Sequence, residues 1–203
     1  MQDNGITPSQ TVGPFFKYGL TPTGEYAWND AFTNSTLTPD VTGDRVRIEG
    51  RVFDGDGVVV PDVMLEIWQA DAQGRFADPQ DKRALPNASF RGFARCGTDK
   101  DGNYSFDTVK PGAVEGRNGR VMAPHVNAWI VARGINIGLN TRIYFSDEAD
   151  ANANDAVLNL IEWEQRRATL VAERLDRQLD GGAAVYRFDI RLQGENETVF
   201  FDV

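Results

Sequence analysis

Cysteine and histidine, on which many active sites depend, each occur only once in this chain, as Cys96 and His125. A single cysteine excludes a disulfide within the chain, and a single histidine excludes a metal centre built from several histidines. No stretch approaches the roughly eighteen consecutive apolar residues of a membrane-spanning helix. The chain has only 4 lysines against 17 arginines, and its formal net charge is −9. Nucleic acid is therefore an unfavourable partner, because phosphate binding needs a cationic surface.

The remaining composition is that of one folded domain. The 203 residues are 41% apolar, and a chain of this size buries enough surface to fold without disulfides or a structural metal. The first ten residues contain neither the basic segment nor the apolar run of a secretory signal, so we expect a cytoplasmic protein. If an acidic chain handles a carboxylate substrate, a few arginines must create a local positive potential, and arginine pairs with carboxylates better than lysine does.

The N-terminal region differs in pattern from the rest of the chain. Residues 1–44 are rich in Thr, Pro, Gly and Asn and have no sustained periodicity, which predicts an irregular arm that packs on its own chain and on a partner chain. From Arg45 onward apolar and polar residues alternate, with Val46, Ile48 and Val52 on one face. This is the period of a half-buried strand.

Many short β-prone runs, separated by turn residues such as Asp-Gly pairs, follow along residues 45–203. Only the stretch from about Ala156 to Leu175 has a helical pattern. The sequence therefore predicts a mainly β protein, a single-domain β-sandwich over residues 45–203 with one or two short helices near 156–175.

Few residues are obvious candidates for chemistry. A lone histidine beside a proline is more often structural than catalytic, and Cys96 as a nucleophile would need His125 close by. The acidic pairs Asp54/Asp56 and Asp99/Asp101 lack the remaining ligands of a calcium loop and are better explained as hairpin turns. Arg133 ends a predicted buried strand just before a glycine, so it lies either at a cleft mouth or on a solvated surface.

Seven motifs, distributed over almost the whole chain, resemble those of the intradiol ring-cleaving dioxygenases. They are Pro8–Pro14, Leu65–Ala72, Asp101–Phe106, Val109–Gly112, Ala123–His125, Ala132–Asn136 and Tyr186–Ile190.

The catalytic chains of that family bind ferric iron through two tyrosines and two histidines, since phenolate oxygens stabilise Fe(III). The resemblance places Phe76, Val114, His125 and Asn127 at those four positions, so three of the four ligands are absent. An arginine that precedes the histidine pair in catalytic chains is replaced by Met122. The resemblance therefore implies a vestigial site that binds no metal.

Within the family the chain resembles the non-catalytic alpha subunit of a two-chain enzyme. That resemblance implies a homologous beta subunit that holds the Fe(III), alpha–beta units in a higher-order oligomer, and a site at the alpha–beta interface. This chain would supply no catalytic residue but would line the substrate cavity with Thr11, Gly13, Pro14 and Arg133. The implied substrate is a small aromatic carboxylate with two ring hydroxyls, and Arg133 would pair with its carboxylate.

Two other functions are compatible with the same residues. The first is a free-standing transthyretin-like β-sandwich that binds ligands without a catalytic partner. The second is an autonomous iron dioxygenase that uses unexpected ligands such as Tyr104 or Tyr144.

Overall fold

The computed structural model describes residues 13, 19–22, 32–81, 83, 89–116 and 119–202. Within these ranges the fold is mainly β, as predicted, and its few helices are short. The strands are β1 (Arg45–Phe53), β2 (Met64–Gln69), β3 (Phe93–Gly97), β4 (Asn103–Val109), β5 (Val114–Glu115), β6 (Val121–Met122), β7 (His125–Val131), β8 (Leu139–Phe145), β9 (Val171–Gln178), β10 (Ala184–Arg187) and β11 (Ile190–Arg191). The helices are α1 (Ala149–Asn154), a 3-10 turn (Leu158–Leu160) and α2 (Glu164–Ala168). In the described part of the chain no helix is both long and apolar enough to cross a membrane.

Two sheets form the body of the molecule. In the first sheet β1 lies between β4, which is antiparallel to it, and β10 with β11, which are parallel to it. In the second sheet the order is β3, β2, β7, β8, and these neighbours are antiparallel. Strand β9 joins the sheets, because its first two residues pair with β8 and its later residues pair with β10. This gives the sandwich its nearly closed form.

One apolar core fills the space between the sheets. The alternating face of β1 contributes Val46, Ile48 and Val52, as the sequence predicts, and the second sheet contributes residues such as Val126 and Ile130. Since side chains alternate along a strand, the neighbours of these residues point to the outer faces. The outer face of the second sheet positions the candidate site.

The segment predicted to be helical contains both helix and strand. The 3-10 turn and α2 lie inside 156–175, as expected, but α1 precedes that range and the chain is extended from Val171 onward. The reason is tertiary: Val171 and Ala172 pair with the end of β8, and Ala172 is buried in the core.

Two further segments differ from the sequence pattern. The glycines and prolines of residues 70–98 predict a loop, but strand β3 lies inside this stretch. Near the C-terminus, the apolar run after Thr198 predicts a strand, but within it only Phe201 forms an isolated β-bridge, to Asn140.

Residues 32–44, the described C-terminal part of the predicted arm, lie along the edges of both sheets. Thr33 and Asn34 accept backbone hydrogen bonds from Arg95 and Asp107, respectively. The Arg95 guanidinium lies 4.0 Å from the centroid of the Phe32 ring. This part of the arm therefore packs on its own chain.

Candidate functional site

His125 and Asn127 lie on the outer face of the second sheet. They alternate with Val126 and Ala128, which point into the core. On the neighbouring strand β8, Tyr144 pairs with His125 and Arg142 pairs with Asn127 in register. On the other side, Trp68 of β2 pairs with Asn127.

A chain of contacts links the four positions singled out by the sequence. Phe76 stacks on Trp68 with 6.0 Å between ring centroids, and Trp68 accepts a 3.2 Å hydrogen bond from the Asn127 amide through its carbonyl oxygen. Val114 pairs with Met122, whose sulfur lies 3.4 Å from Nη1 of Arg142. The structure thus brings Phe76, Val114, His125 and Asn127 together around Arg142, and we refer to these five residues as the His125 cleft.

His125 is a buried, neutral imidazole, only 2% exposed. Its Nδ1 lies 2.8 Å from the carbonyl oxygen of Ala123. Because a carbonyl only accepts, Nδ1 carries the proton and Nε2 does not. Burial is the main cause that lowers the pKa of His125 to about 4, and the positive charge of Arg142 adds to it.

A buried carboxylate fixes the wall of the cleft beside His125. Asp155 is fully buried and accepts four hydrogen bonds, from the backbone N–H groups of Ala123, Val157 and Leu158 and from the Tyr144 hydroxyl. These bonds hold the segment around the 3-10 turn against β8. The local sequence does not mark Asp155 as a site residue, since its partners Ala123 and Tyr144 lie 32 and 11 positions away in the chain.

The local sequence does not mark Arg142 as a site residue either. Its outward direction could be read from its alternation with Ile143 in a strand-like run, but its neighbours across the sheet could not. Its guanidinium lies beside Met122, at the position that the resemblance assigns to the family's missing arginine.

Arg133 lies at the opposite end of the same sheet. It follows the C-terminal end of β7 in a turn closed by the backbone hydrogen bond from Ile135 to Ala132. Its side chain is 57% exposed and its guanidinium is ion-paired with Asp62. Strand β7 spans six residue steps from His125 to Val131, about 20 Å, and Arg133 lies beyond that end.

The other predicted substrate-binding residues belong to the arm. Gly13 is described and half-buried, with space for a side chain, since a Cβ there would meet no atom within 4 Å. Thr11 and Pro14 lie outside the described residues.

Comparison with known proteins identifies the family of this chain. The model of a family described as "Dioxygenase" matches residues 13–194. The chain belongs to the intradiol dioxygenase family. It is 50% identical over 199 residues to the protocatechuate 3,4-dioxygenase alpha chain of Pseudomonas putida, with 97% of this chain and 96% of that protein covered. It is 31% identical over 179 residues to the corresponding beta chain of Burkholderia cepacia, with 84% and 73% covered.

Solved structures agree on the fold of this intradiol dioxygenase chain. The dioxygenase domain of a carbohydrate-binding fusion protein from Streptomyces sp. SirexAA-E superposes with a TM-score of 0.60 at 24% identity, covering 94% of this chain and 99% of that one. 3-Chlorocatechol 1,2-dioxygenase from Rhodococcus opacus 1CP gives a TM-score of 0.59 at 22% identity, covering 77% and 63%. The predicted β-sandwich is thus confirmed as the fold of intradiol dioxygenases.

The residues of the His125 cleft do not fit the ferric iron on which the intradiol dioxygenase family depends. Phe76 and Val114 have no donor atom, and Asn127 offers only a neutral amide oxygen, a weaker ligand for Fe(III) than a phenolate or an imidazole. The guanidinium of Arg142 adds a positive charge that repels a metal cation. Across the described residues, no three His, Cys, Asp or Glu side chains are grouped as metal ligands would be.

The alternative ligands of an autonomous iron enzyme are engaged elsewhere in this intradiol dioxygenase chain. Tyr104 is buried in the core and donates to the Phe188 carbonyl, while Tyr144 donates to Asp155. Burial is the main cause that raises the pKa of both hydroxyls, which disfavours the phenolate that binds iron. Burial likewise raises the pKa of the Cys96 thiol to about 12, which excludes a reactive thiolate at neutral pH.

Proposed function

We propose that this chain is the alpha subunit, which binds no iron, of a protocatechuate 3,4-dioxygenase. The whole enzyme inserts both atoms of O2 between the two hydroxyl-bearing carbons of 3,4-dihydroxybenzoate and yields 3-carboxy-cis,cis-muconate. The Fe(III) belongs to the homologous beta subunit, and this chain provides a wall of the substrate cavity at the alpha–beta interface.

The observation that carries the proposal is the separation of Arg133 from the His125 cleft. The length of β7, about 20 Å, lies between them. Arg133 is therefore too far away to orient a substrate bound in its own chain's cleft. An exposed arginine at the opposite end of the sheet is instead well placed to reach a site on a second chain.

Arg133 binds and orients the substrate in this proposal. Its guanidinium can bind carboxylates through pairs of parallel N–H donors. Asp62 contacts Nε, and the ring carboxylate of 3,4-dihydroxybenzoate pairs with the remaining N–H groups. Thr11, Gly13 and Pro14 line the same cavity, and residues 1–44 form the arm that packs against the partner. We also infer that alpha–beta units assemble into a larger particle in the cytoplasm.

The similarity to both chain types supports this assignment over a free-standing binding module. The 50% identity covers nearly the full length of an alpha chain, whereas the beta chain matches at 31%. A homologue of both chains in which three of the four iron ligands are replaced fits an enzyme whose iron is bound by the other subunit.

The test is to purify the chain alone and together with a beta chain from the same source, and to measure iron content, visible absorbance and oxygen consumption with 3,4-dihydroxybenzoate. We expect the lone chain to be colourless, iron-free and inactive, and the complex to be coloured and active. Iron and turnover in the lone chain would contradict the assignment of the metal, and failure to associate with any beta chain would favour the binding module.

A further inference from the structure

A cavity of about 440 Å³ opens on the outer face of the second sheet, beside the His125 cleft. Four aromatic side chains line it, namely Trp68, Phe93, Trp129 and Phe201. Asn127 and Arg142 line it as well, so the cavity and the cleft share these two residues. The volume lies within the range of roughly 300–1,000 Å³ that is typical of small-molecule sites.

Arg142 brings a positive charge into this aromatic cavity. Among the described residues no carboxylate lies within ion-pairing distance of its guanidinium. Its polar contacts are the Met122 sulfur at 3.4 Å, a weak acceptor, and the hydroxyl of Tyr144. A half-buried guanidinium retains most of its hydrogen-bonding capacity in this arrangement.

Of the three nearby acidic residues, two are engaged with other partners and the third, Asp202, forms no ion pair with Arg142 among the described residues. Glu66 lines the cavity but is ion-paired with Arg95. Asp155 lies behind the Tyr144 ring, and its oxygens accept four hydrogen bonds. Asp202 lines the cavity at the exposed C-terminal end. The charge of Arg142 is therefore available to an anion that enters the cavity.

We propose that this cavity binds a small aromatic carboxylate without any metal. The carboxylate pairs with the Arg142 guanidinium, and the ring packs against Trp68, Phe93 and Trp129. Flat aromatic walls and one guanidinium are the groups that recognise the two ends of such a molecule, since aromatic rings pack on one another and a carboxylate accepts two parallel N–H bonds. The site differs from the one proposed for Arg133, because Arg142 pairs with Asn127, about 13 Å along β7 from Val131, and Arg133 lies beyond that end.

The experiment is calorimetric titration of the full chain, without a beta subunit or iron, with benzoate. Benzamide and acetate serve as matched ligands, since the first lacks the charge and the second lacks the ring. We expect benzoate to bind at one site per chain and both analogues to bind at least tenfold more weakly. Equal affinity for benzoate and benzamide would overturn the role of Arg142.

Substitutions identify the site. Arg142→Gln should weaken benzoate binding at least tenfold, while Arg142→Lys should retain part of it. Arg120→Gln, an exposed arginine outside both sites, is the control and should leave the affinity unchanged. Because the titration uses no beta subunit, its failure is separate from a failure of the proposed function. Loss of binding in Arg133→Gln with retention in Arg142→Gln would assign the carboxylate to the other arginine and overturn the proposal. The unfolding midpoint of each variant distinguishes a lost contact from a lost fold.

Discussion

Arg133 and Asp62 form an ion pair that holds an exposed guanidinium at the end of β7. Asp62 lies in the turn before β2 and its side chain is 16% exposed, so it is the better anchored partner. The pair therefore orients Arg133 before any substrate or partner chain arrives. Substitution of either residue should therefore change the KM of the assembled enzyme.

Arg133→Gln in the assembled alpha–beta enzyme should raise KM for 3,4-dihydroxybenzoate roughly tenfold to 150-fold, because a charged hydrogen bond contributes about 1.5–3 kcal/mol. The kcat should change little, since the proposed function has this arginine bind the ring carboxylate, at a distance from the reacting carbons. Steady-state oxygen consumption measures both constants. Catechol, which lacks the carboxylate, is the control substrate and should be affected much less; an equal effect on both substrates would remove Arg133 from the site.

Asp62→Ala should raise the same KM by about two- to tenfold, because the guanidinium loses its fixed orientation. The effect should depend on Arg133. In a double-mutant cycle, Asp62→Ala should have almost no further effect once Arg133 is Gln. Additive effects of the two substitutions would show that Asp62 acts by another route.

His125 should make the stability of the chain depend on pH between about 6.5 and 4. Its folded pKa of about 4 lies below the ordinary value of 6.5, so in this window the unfolded state binds a proton that the folded state does not. The free energy of unfolding is fully retained above pH 6.5 and should fall by about 2 kcal/mol from pH 7.5 to pH 5.

Urea unfolding of the wild type and of His125→Gln at the two pH values isolates this contribution. The wild type and the variant have the same carboxylates, so the titration of these groups contributes equally to both. Because the variant lacks the histidine, it should lose less stability on acidification than the wild type. Since His125 is the only histidine, its ring signals in proton NMR should also stay those of the neutral form at pH 5.5. A midpoint near 6.5 would contradict the buried, neutral imidazole.

Gly50→Ala should destabilise the chain by about 3 kcal/mol, because overpacking a core costs about this much. A Cβ at Gly50 would lie 1.9 Å from the carbonyl oxygen of Phe188, which also accepts the Tyr104 hydroxyl. Chemical denaturation measures the change. Gly19→Ala is the matched control, since a Cβ there meets no atom of the described residues within 4 Å, and a similar loss in both variants would contradict the close approach.

Lys110→Met should destabilise the chain by about 3 kcal/mol, because it leaves two acidic groups without their shared cation in a half-buried site. The Lys110 ammonium lies 3.0 Å from Asp147 and 2.6 Å from Glu148, and it packs over the rings of Phe145 and Tyr186. Thermal unfolding of Lys110→Met and Lys100→Met provides the comparison. Lys100 is 90% exposed, so its loss should change stability by less than about 0.5 kcal/mol; equal effects would exclude a special role for Lys110.

Features that depend only on neighbouring residues can be predicted from the sequence. The alternation of Val46, Ile48 and Val52 predicted β1 and its buried face, because consecutive strand residues point to opposite sides. The Asp-Gly pairs predicted the turns in which Asp54 and Asp99 accept hydrogen bonds from their own loops. The absence of donor atoms at Phe76 and Val114 was equally visible, since it is a matter of residue identity.

Features that depend on residues far apart in the chain follow from the three-dimensional packing. Val171 and Ala172 form a strand because β8 offers them a free edge, which overrides a local pattern that looks helical. Arg142 enters the His125 cleft because β7 and β8 pair in a register that sets it opposite Asn127. The separation of Arg133 from that cleft likewise follows from the length of β7. Strand pairing and burial arise from long-range contacts, and local periodicity carries no information about which distant residues will meet.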